Sequence, residues 1–424
     1  MRRGIAATAL VAALALSATA CGGGSGDEGE ADGPVTITWW DTSNATNEAP
    51  NYKALIKEFE AANKDITVKY VNVPFDQAQN KFQTAAGSKG APDIIRADVG
   101  WTGAWAKSQF LAPLDGTEAL KNSEDITPAL LKQAQYEGKT YGAPIVTDTL
   151  ALMWNKDLLK KAGFEAAPTT WEELKKVSKA VADKTDADGF WLNKAGYYQM
   201  PFLYGEGVDL IDSEGKKITV NSDKAVKAIE TSKSLLAADG VAKLDVSADS
   251  YAHMQDAFTT GKVAMIVQGP WELTNIYKGS AFKDAANLGV SKVPAGSTGA
   301  SGAPIGGHNL SLYAGSDAAH QKAAQKFIGF MTSGETQAKI ALKNSTLPTR
   351  TSAYTADVKA LPGFAEMQTV LAESGKARGS DPSYSSLYTD FETNVTKVLQ
   401  DKVGVQKGLD DTAAAYKKLL QDYS

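Results

Sequence analysis

A single cysteine and three histidines leave this chain of 424 residues without an intrachain disulfide and with little material for a zinc site. Basic residues are not in excess: 44 Lys and Arg face 49 Asp and Glu, and a formal charge of −5 excludes a binder of phosphate backbones such as nucleic acid. Beyond Ala20 no apolar run approaches the ~20 residues that span a bilayer as a helix. No Walker A loop, no GxGxxG after a strand, no HExxH and no GxSxG is present. The stretch Asp186-Ala187-Asp188-Gly189 imitates part of a calcium loop, but Lys184 then takes the first ligand position and Ala195 the twelfth, so the oxygen cage fails. His253, His308 and His320 are too scattered to suggest a metal site, and neither metal nor cofactor is expected. No repeat of 20–50 residues marks a solenoid. What is left is a globular composition with 43% hydrophobic residues, long enough for two to three domains.

The N-terminus reads as an address. Arg2 and Arg3 precede a small-apolar run to Ala20, the pattern of a secretory signal over residues 1–20. Cys21 follows Ala18-Thr19-Ala20 and resembles the acylated cysteine of a bacterial lipobox, although Ala18 stands where Leu is usual. Two or more acyl chains on Cys21 would hold the chain durably to a membrane surface. Residues 22–33 carry six glycines and four acidic residues, a composition that predicts a disordered tether reaching ~20 Å. The expected location is therefore outside the cell, lipid-anchored to the outer face of the bacterial membrane.

From Val35 onward, short apolar strands alternate with amphipathic helices, the signature of α/β layers. Strands are predicted at Val35–Trp40, Ile66–Val73, Pro92–Ile95, Thr149–Trp154, Val263–Val267 and Leu310–Tyr313. Helices are predicted over Pro50–Lys64, Gln77–Ala86, Trp101–Gln109, Asp223–Ala238, Tyr251–Thr260, Ala318–Met331 and Glu335–Leu342, and from Leu361 to the end, closing with Val405–Tyr423. Thr170-Trp171-Glu172-Glu173 opens a further helix as a capping box, and Gly269-Pro270-Trp271-Glu272 opens another with proline early. Pro201-Phe202 reads as a helix start just after Tyr197 and Tyr198.

The aromatic residues are the informative ones. Trp40, Trp101 and Trp271 lie beside strand ends or helix starts, where open α/β sheets bind ligands. Acidic residues accompany them: Asp41 after Trp40, Asp98 before Trp101, Asp148 before Leu150, Glu272 after Trp271. Flat rings and ionised acceptors suit a sugar, whose ring offers C–H faces for stacking and hydroxyl donors at its edge. Strand alternation points one of Trp39 and Trp40 into the core, and Trp154 and Trp171 read as core or packing residues. A glycosidase would need only two carboxylates at the right separation, and no segment singles out such a pair.

PDIIRADVGWTGAWAKSQFLAPLD, YEGKTYGAPIVTDTLALMWNKDLL, PTTWEELKK and AFTTGKVAMIVQGPWE occur in this order. Together they resemble the extracellular solute-binding proteins of carbohydrate ABC importers, above all the maltose/maltodextrin-binding branch, from about Pro34 to Ser424. The resemblance implies a two-lobe α/β fold of the periplasmic-binding-protein type with a central cleft. Lobe 1 would comprise residues 34–147 plus 305–348 and lobe 2 residues 150–302 plus 352–424, with hinges near 146–150, 304–307 and 347–351. It implies a ligand site of Asp41, Asp98, Trp101, Asp148, Tyr197, Trp271 and Tyr388, with the last three as stacking rings. Glu272 beside Trp271, and Gly307 and His308 in the polar run Gly306-Gly307-His308-Asn309, are counted with that site as departures from the enteric maltose binders. A further departure is the loss, near Ala97, of the Trp expected after the PDII strand. The function implied is non-enzymatic capture of a maltose/maltodextrin-type α-glucoside, or of trehalose or another oligosaccharide. The implied receptor is monomeric, touches the membrane only through its lipid, and delivers to an ABC permease driven by a separate ATPase. A glycoside-active enzyme and a peptide or metal receptor are the rivals.

Overall fold

The computed structural model describes residues 33–424 apart from Lys89 and Ser380. The signal-like run, Cys21 and nearly all of the acidic tether lie outside the described residues. Pro34–Ser424 forms one compact unit.

Ten strands position the site: β1 (Val35–Asp41), β2 (Ile66–Asn72), β3 (Ile94–Asp98), β4 (Ala143–Asp148), β5 (Ala151–Asn155), β6 (Asp188–Leu192), β7 (Ala242–Leu244), β8 (Val263–Gln268), β9 (Leu288–Ser291) and β10 (Gly306–Leu312). They form two five-stranded sheets, ordered β2-β1-β3-β10-β4 and β7-β6-β8-β5-β9. In the first sheet β10 alone is antiparallel to its neighbours; in the second, β5 runs against β8 and β9. Each sheet is covered by helices over its own hydrophobic core, the α/β two-lobe design.

The local chemistry explains the elements. In β1, Trp39 is buried among Tyr52, Tyr70 and Phe327, whereas Trp40 faces the opposite layer with Phe82, Trp101 and Trp105. Alternation along the strand thus buries both rings, one on each side of a sheet covered on both faces. Thr170 accepts the Glu173 amide at 3.1 Å, and the Glu173 carboxylate reaches back to the Thr169 amide at 2.8 Å, so Trp171–Lys184 starts as a capping box shifted by one residue. The helix near Tyr197 differs from expectation. It runs Gly196–Gly205, with Pro201 inside it rather than at its start. Nine of its ten residues are buried, and that packing outweighs the lost amide hydrogen bond.

Three strands of chain cross between the sheets side by side. β4 leaves the first sheet at Asp148 and β5 joins the second at Ala151; the return is made by Ala303–Pro304 into β10; Leu347–Arg350 makes the third crossing. The Thr147 amide donates to the Leu347 carbonyl at 2.9 Å, and Thr149 Oγ1 donates to the Pro304 carbonyl at 3.1 Å. Gln337 holds the third crossing, accepting the Thr349 amide at 2.7 Å while its own amide reaches Pro144 O at 3.1 Å. The helix Gly334–Asn344 packs both ways: Ile340 enters the first sheet's core, whereas Ala338 and Ala341 join Leu273, Ile276 and Phe364.

Candidate binding cleft

Three groups of side chains stand at strand ends, at the ends of β3 and β4, after β8 and at the start of β10. The first centres on Arg378. Its guanidinium forms an ion pair with Asp98 at 2.9 Å and lies 5.9 Å from the centre of the Tyr197 ring. Asp98 also caps the helix Val99–Lys107, accepting the Gly100 amide at 2.7 Å. Asp148, at the end of β4, lies beside Tyr197, whose hydroxyl is 3.4 Å from Oδ1 and 3.2 Å from the Pro304 carbonyl. Burial, and then the neighbouring Asp98, push the Asp148 carboxyl up to about 7, while Arg378 and Arg96 pull the other way. Tyr388 completes the group, its ring 6.2 Å from that of Tyr197 and its buried hydroxyl without a hydrogen-bond partner.

The second group is built on Tyr251, from the helix Ser250–Thr259. Its hydroxyl accepts the Trp271 indole N–H at 2.8 Å and the Gln268 amide at 3.3 Å, and donates to Glu272 at 3.0 Å. Glu272 is buried, and that burial raises its carboxyl above the usual range. Its second oxygen accepts from Asn275 at 2.8 Å, so this acid orients Tyr251 rather than standing free. β8 ends at Gln268, and Pro270–Glu272 is a single 3₁₀ turn before the short helix Leu273–Ile276. The indole lies against Gly269, where any Cβ would overlap the six-membered ring. Trp271, Tyr197 and Tyr388 are half-buried against one and the same core, that of the second sheet. Asn47, from the first body, donates to the Trp271 carbonyl at 3.3 Å.

The third group lies on the first sheet. His308 is the cross-strand partner of Asp98, and both of its ring nitrogens are buried without a partner. Burial, with Arg96 and Arg378 nearby, holds the His308 pKa well below its ordinary value and the imidazole neutral. Gly307 precedes it with φ of 126°, and a Cβ there would collide with the Val146 carbonyl.

Two residues expected at the site sit elsewhere. Asp41 is wholly buried, taken up by the Ser43 amide at 3.2 Å, by the Ser43 hydroxyl and by Tyr70 at 2.5 Å, with Arg96 at 3.9 Å. Together with Glu48, whose carboxyl is raised by burial, it surrounds Arg96 at the sheet's end and is spent on neutralising that cation. Trp101 is also buried, because its helix turns it into the layer of Trp40, Phe82 and Trp105, and Phe75 stacks over it at 5.0 Å. Arg378, Tyr251, Asn47 and Phe75 escaped the sequence reading. The sequence reading ran helix from Leu361 onward through Arg378, whereas the structure has residues 377–379 outside any helix or strand, because the Gly/Ser-rich stretch there has no helical period; Phe75 was not singled out. Cys21 lies outside the described residues. No group of three or more His, Cys, Asp or Glu able to hold a metal occurs among the described residues.

Comparison with known proteins agrees with this architecture. Residues 44–338 match the family model of bacterial extracellular solute-binding proteins. The crystal structure of the GacH receptor of Streptomyces glaucescens, studied unliganded and in complex with acarbose, superposes with a TM-score of 0.87 and 41% identity, covering 92% of this chain and 99% of that one. The diacetylchitobiose binding protein DasA of Streptomyces coelicolor is 28% identical over 95% of both chains. The maltose-bound MalE3 of T. maritima shares the fold, with a TM-score of 0.82 at 23% identity over 91% of this chain and 99% of its own. GacH is a receptor and DasA a binding protein. With more than half of its length matched by the family model, this chain belongs to the bacterial extracellular solute-binding proteins.

Proposed function

We propose that this protein is the sugar receptor of an ABC importer, and that it captures an α-glucoside of the maltose/maltodextrin type between its lobes. The observation that carries this reading is the grouping of Tyr197 and Tyr388 with Asp98, Asp148 and Arg378, with Trp271 half-buried against the same core. Rings stack on the C–H faces of pyranoses, while carboxylates and guanidinium take the hydroxyls as acceptor and donor. The names of its relatives point the same way: acarbose, maltose and diacetylchitobiose are carbohydrates, and a pneumococcal relative, 29% identical over 71% of each chain, is a maltooligosaccharide solute-binding lipoprotein.

In this reading residues 34–147 with 305–348 move against 150–302 with 352–424, bending at the three adjacent crossings. A sugar held by both lobes stabilises the closed form through its differential contacts. Taking that form from 1:99 to 99:1 needs ~5.5 kcal/mol, which a few stacks and charge-assisted hydrogen bonds supply. The closed receptor, a monomer tethered by acylated Cys21 to the outer membrane face, then docks on a permease whose ATPase is a separate chain.

Calorimetric titration with maltose, maltotriose, trehalose and diacetylchitobiose tests this. Saturable binding of the α-glucosides without cleavage is expected, and Trp271→Ala should weaken it roughly 100-fold, about 2.7 kcal/mol, as loss of a central aromatic anchor does. Heat signals that stay flat with every sugar, or normal binding by Trp271→Ala, would overturn the proposal.

A further inference from the structure

Phe75 opens the helix Phe75–Ala86, and it is the large apolar side chain left most open to solvent on the first sheet's side of the site, at 48% exposed. One face of its ring lies on Trp101, 5.0 Å away and tilted by 27°. The His308 ring meets it edge-on at 5.9 Å. From there a continuous wall runs inward: His308 pairs across the sheet with Asp98, Asp98 with Arg378, and Arg378 with the Tyr197 ring. Along that wall the His308 nitrogens and Arg378 Nε are buried and have no hydrogen-bond partner. A neutral imidazole offers one donor and one acceptor, and a guanidinium N–H offers a donor. A sugar hydroxyl answers all three, because it both donates and accepts.

We infer that Phe75 is the outer stacking platform of an elongated site, holding a glucosyl ring beyond those gripped near Tyr197 and Trp271, with His308 binding that ring's hydroxyls. The inference rests on the sugar-receptor reading and adds to it a residue that selects chain length. A rigid ring already stacked on Trp101 loses little freedom when a pyranose covers its free face.

The test is calorimetry of the wild type, Phe75→Ala and Phe75→Leu with maltose and with maltotetraose. Phe75→Leu keeps an apolar cover on Trp101 but removes the flat face. Both variants should weaken maltotetraose 5- to 20-fold and leave maltose within twofold of the wild type. Equal losses for both sugars would show that Phe75 only props Trp101, and would overturn the inference. Unchanged binding of both sugars would overturn it too, leaving the ring to a protein partner. A wild type that binds neither sugar would remove the receptor reading itself, and the inference with it.

Discussion

Asp148 stands between opposing charges. Burial and the nearby Asp98 disfavour its ionised form, while Arg378 and Arg96 favour it, and the balance puts its pKa near 7 rather than 3.8. A carboxyl whose folded-state pKa is raised contributes stability that is complete below its unfolded pKa and is lost as the pH rises through the folded value. The wild type should therefore lose stability between about pH 4 and pH 8, by at most about 4 kcal/mol for a rise of this size. Asp148→Asn, neutral at every pH, should melt higher than the wild type at pH 8, with the gap closing toward pH 4. Parallel melting curves across that range would contradict the assignment. Tyr197, beside this carboxyl, and Trp271, tied to Tyr251, are ordered by their hydroxyl and N–H bonds, so they meet a ligand with little rotamer freedom left to lose.

Among the elements, the turn after β8 is the most demanding. Gly269 must lack a Cβ for the Trp271 indole to lie where it does. Gly269→Ala should push the ring aside, lowering sugar affinity at least tenfold while costing about 1–3 kcal/mol of stability. Titration and thermal melting of this variant check both, and undiminished affinity would mean the indole position is irrelevant. Most strands and helices were legible because their apolar periods of 2 and 3.6 survive a helix-covered sheet. Ala318–Met331 matches its expected bounds, whereas Gly196–Gly205 did not announce its start, since tertiary burial and not local propensity carries a helix through Pro201. The sequence singled out Asp98 and Trp271, where polar or aromatic chemistry coincides with strand ends. It did not single out Arg378, where a loop with no period is brought to Asp98 by folding alone. Nor could the sequence tell that helical rotation would turn Trp101 inward and leave Phe75 on top.

At the scale of the molecule, the Thr147 amide bonded to the Leu347 carbonyl and Thr149 Oγ1 bonded to the Pro304 carbonyl tie together the three segments at which the proposed reading bends the chain. Polar contacts between the bodies beside the site include Asp98 with Arg378 and Asn47 with the Trp271 carbonyl. In the proposed reading the ligand supplies the free energy that decides closure. The decisive measurement is a crystal structure of the protein grown with maltotetraose. The account predicts glucosyl rings lying against Trp271, Tyr197 and Tyr388 with hydroxyls on Asp98, Asp148 and Arg378. Density for the sugar anywhere other than between the lobes, or none at saturating concentration, would contradict it.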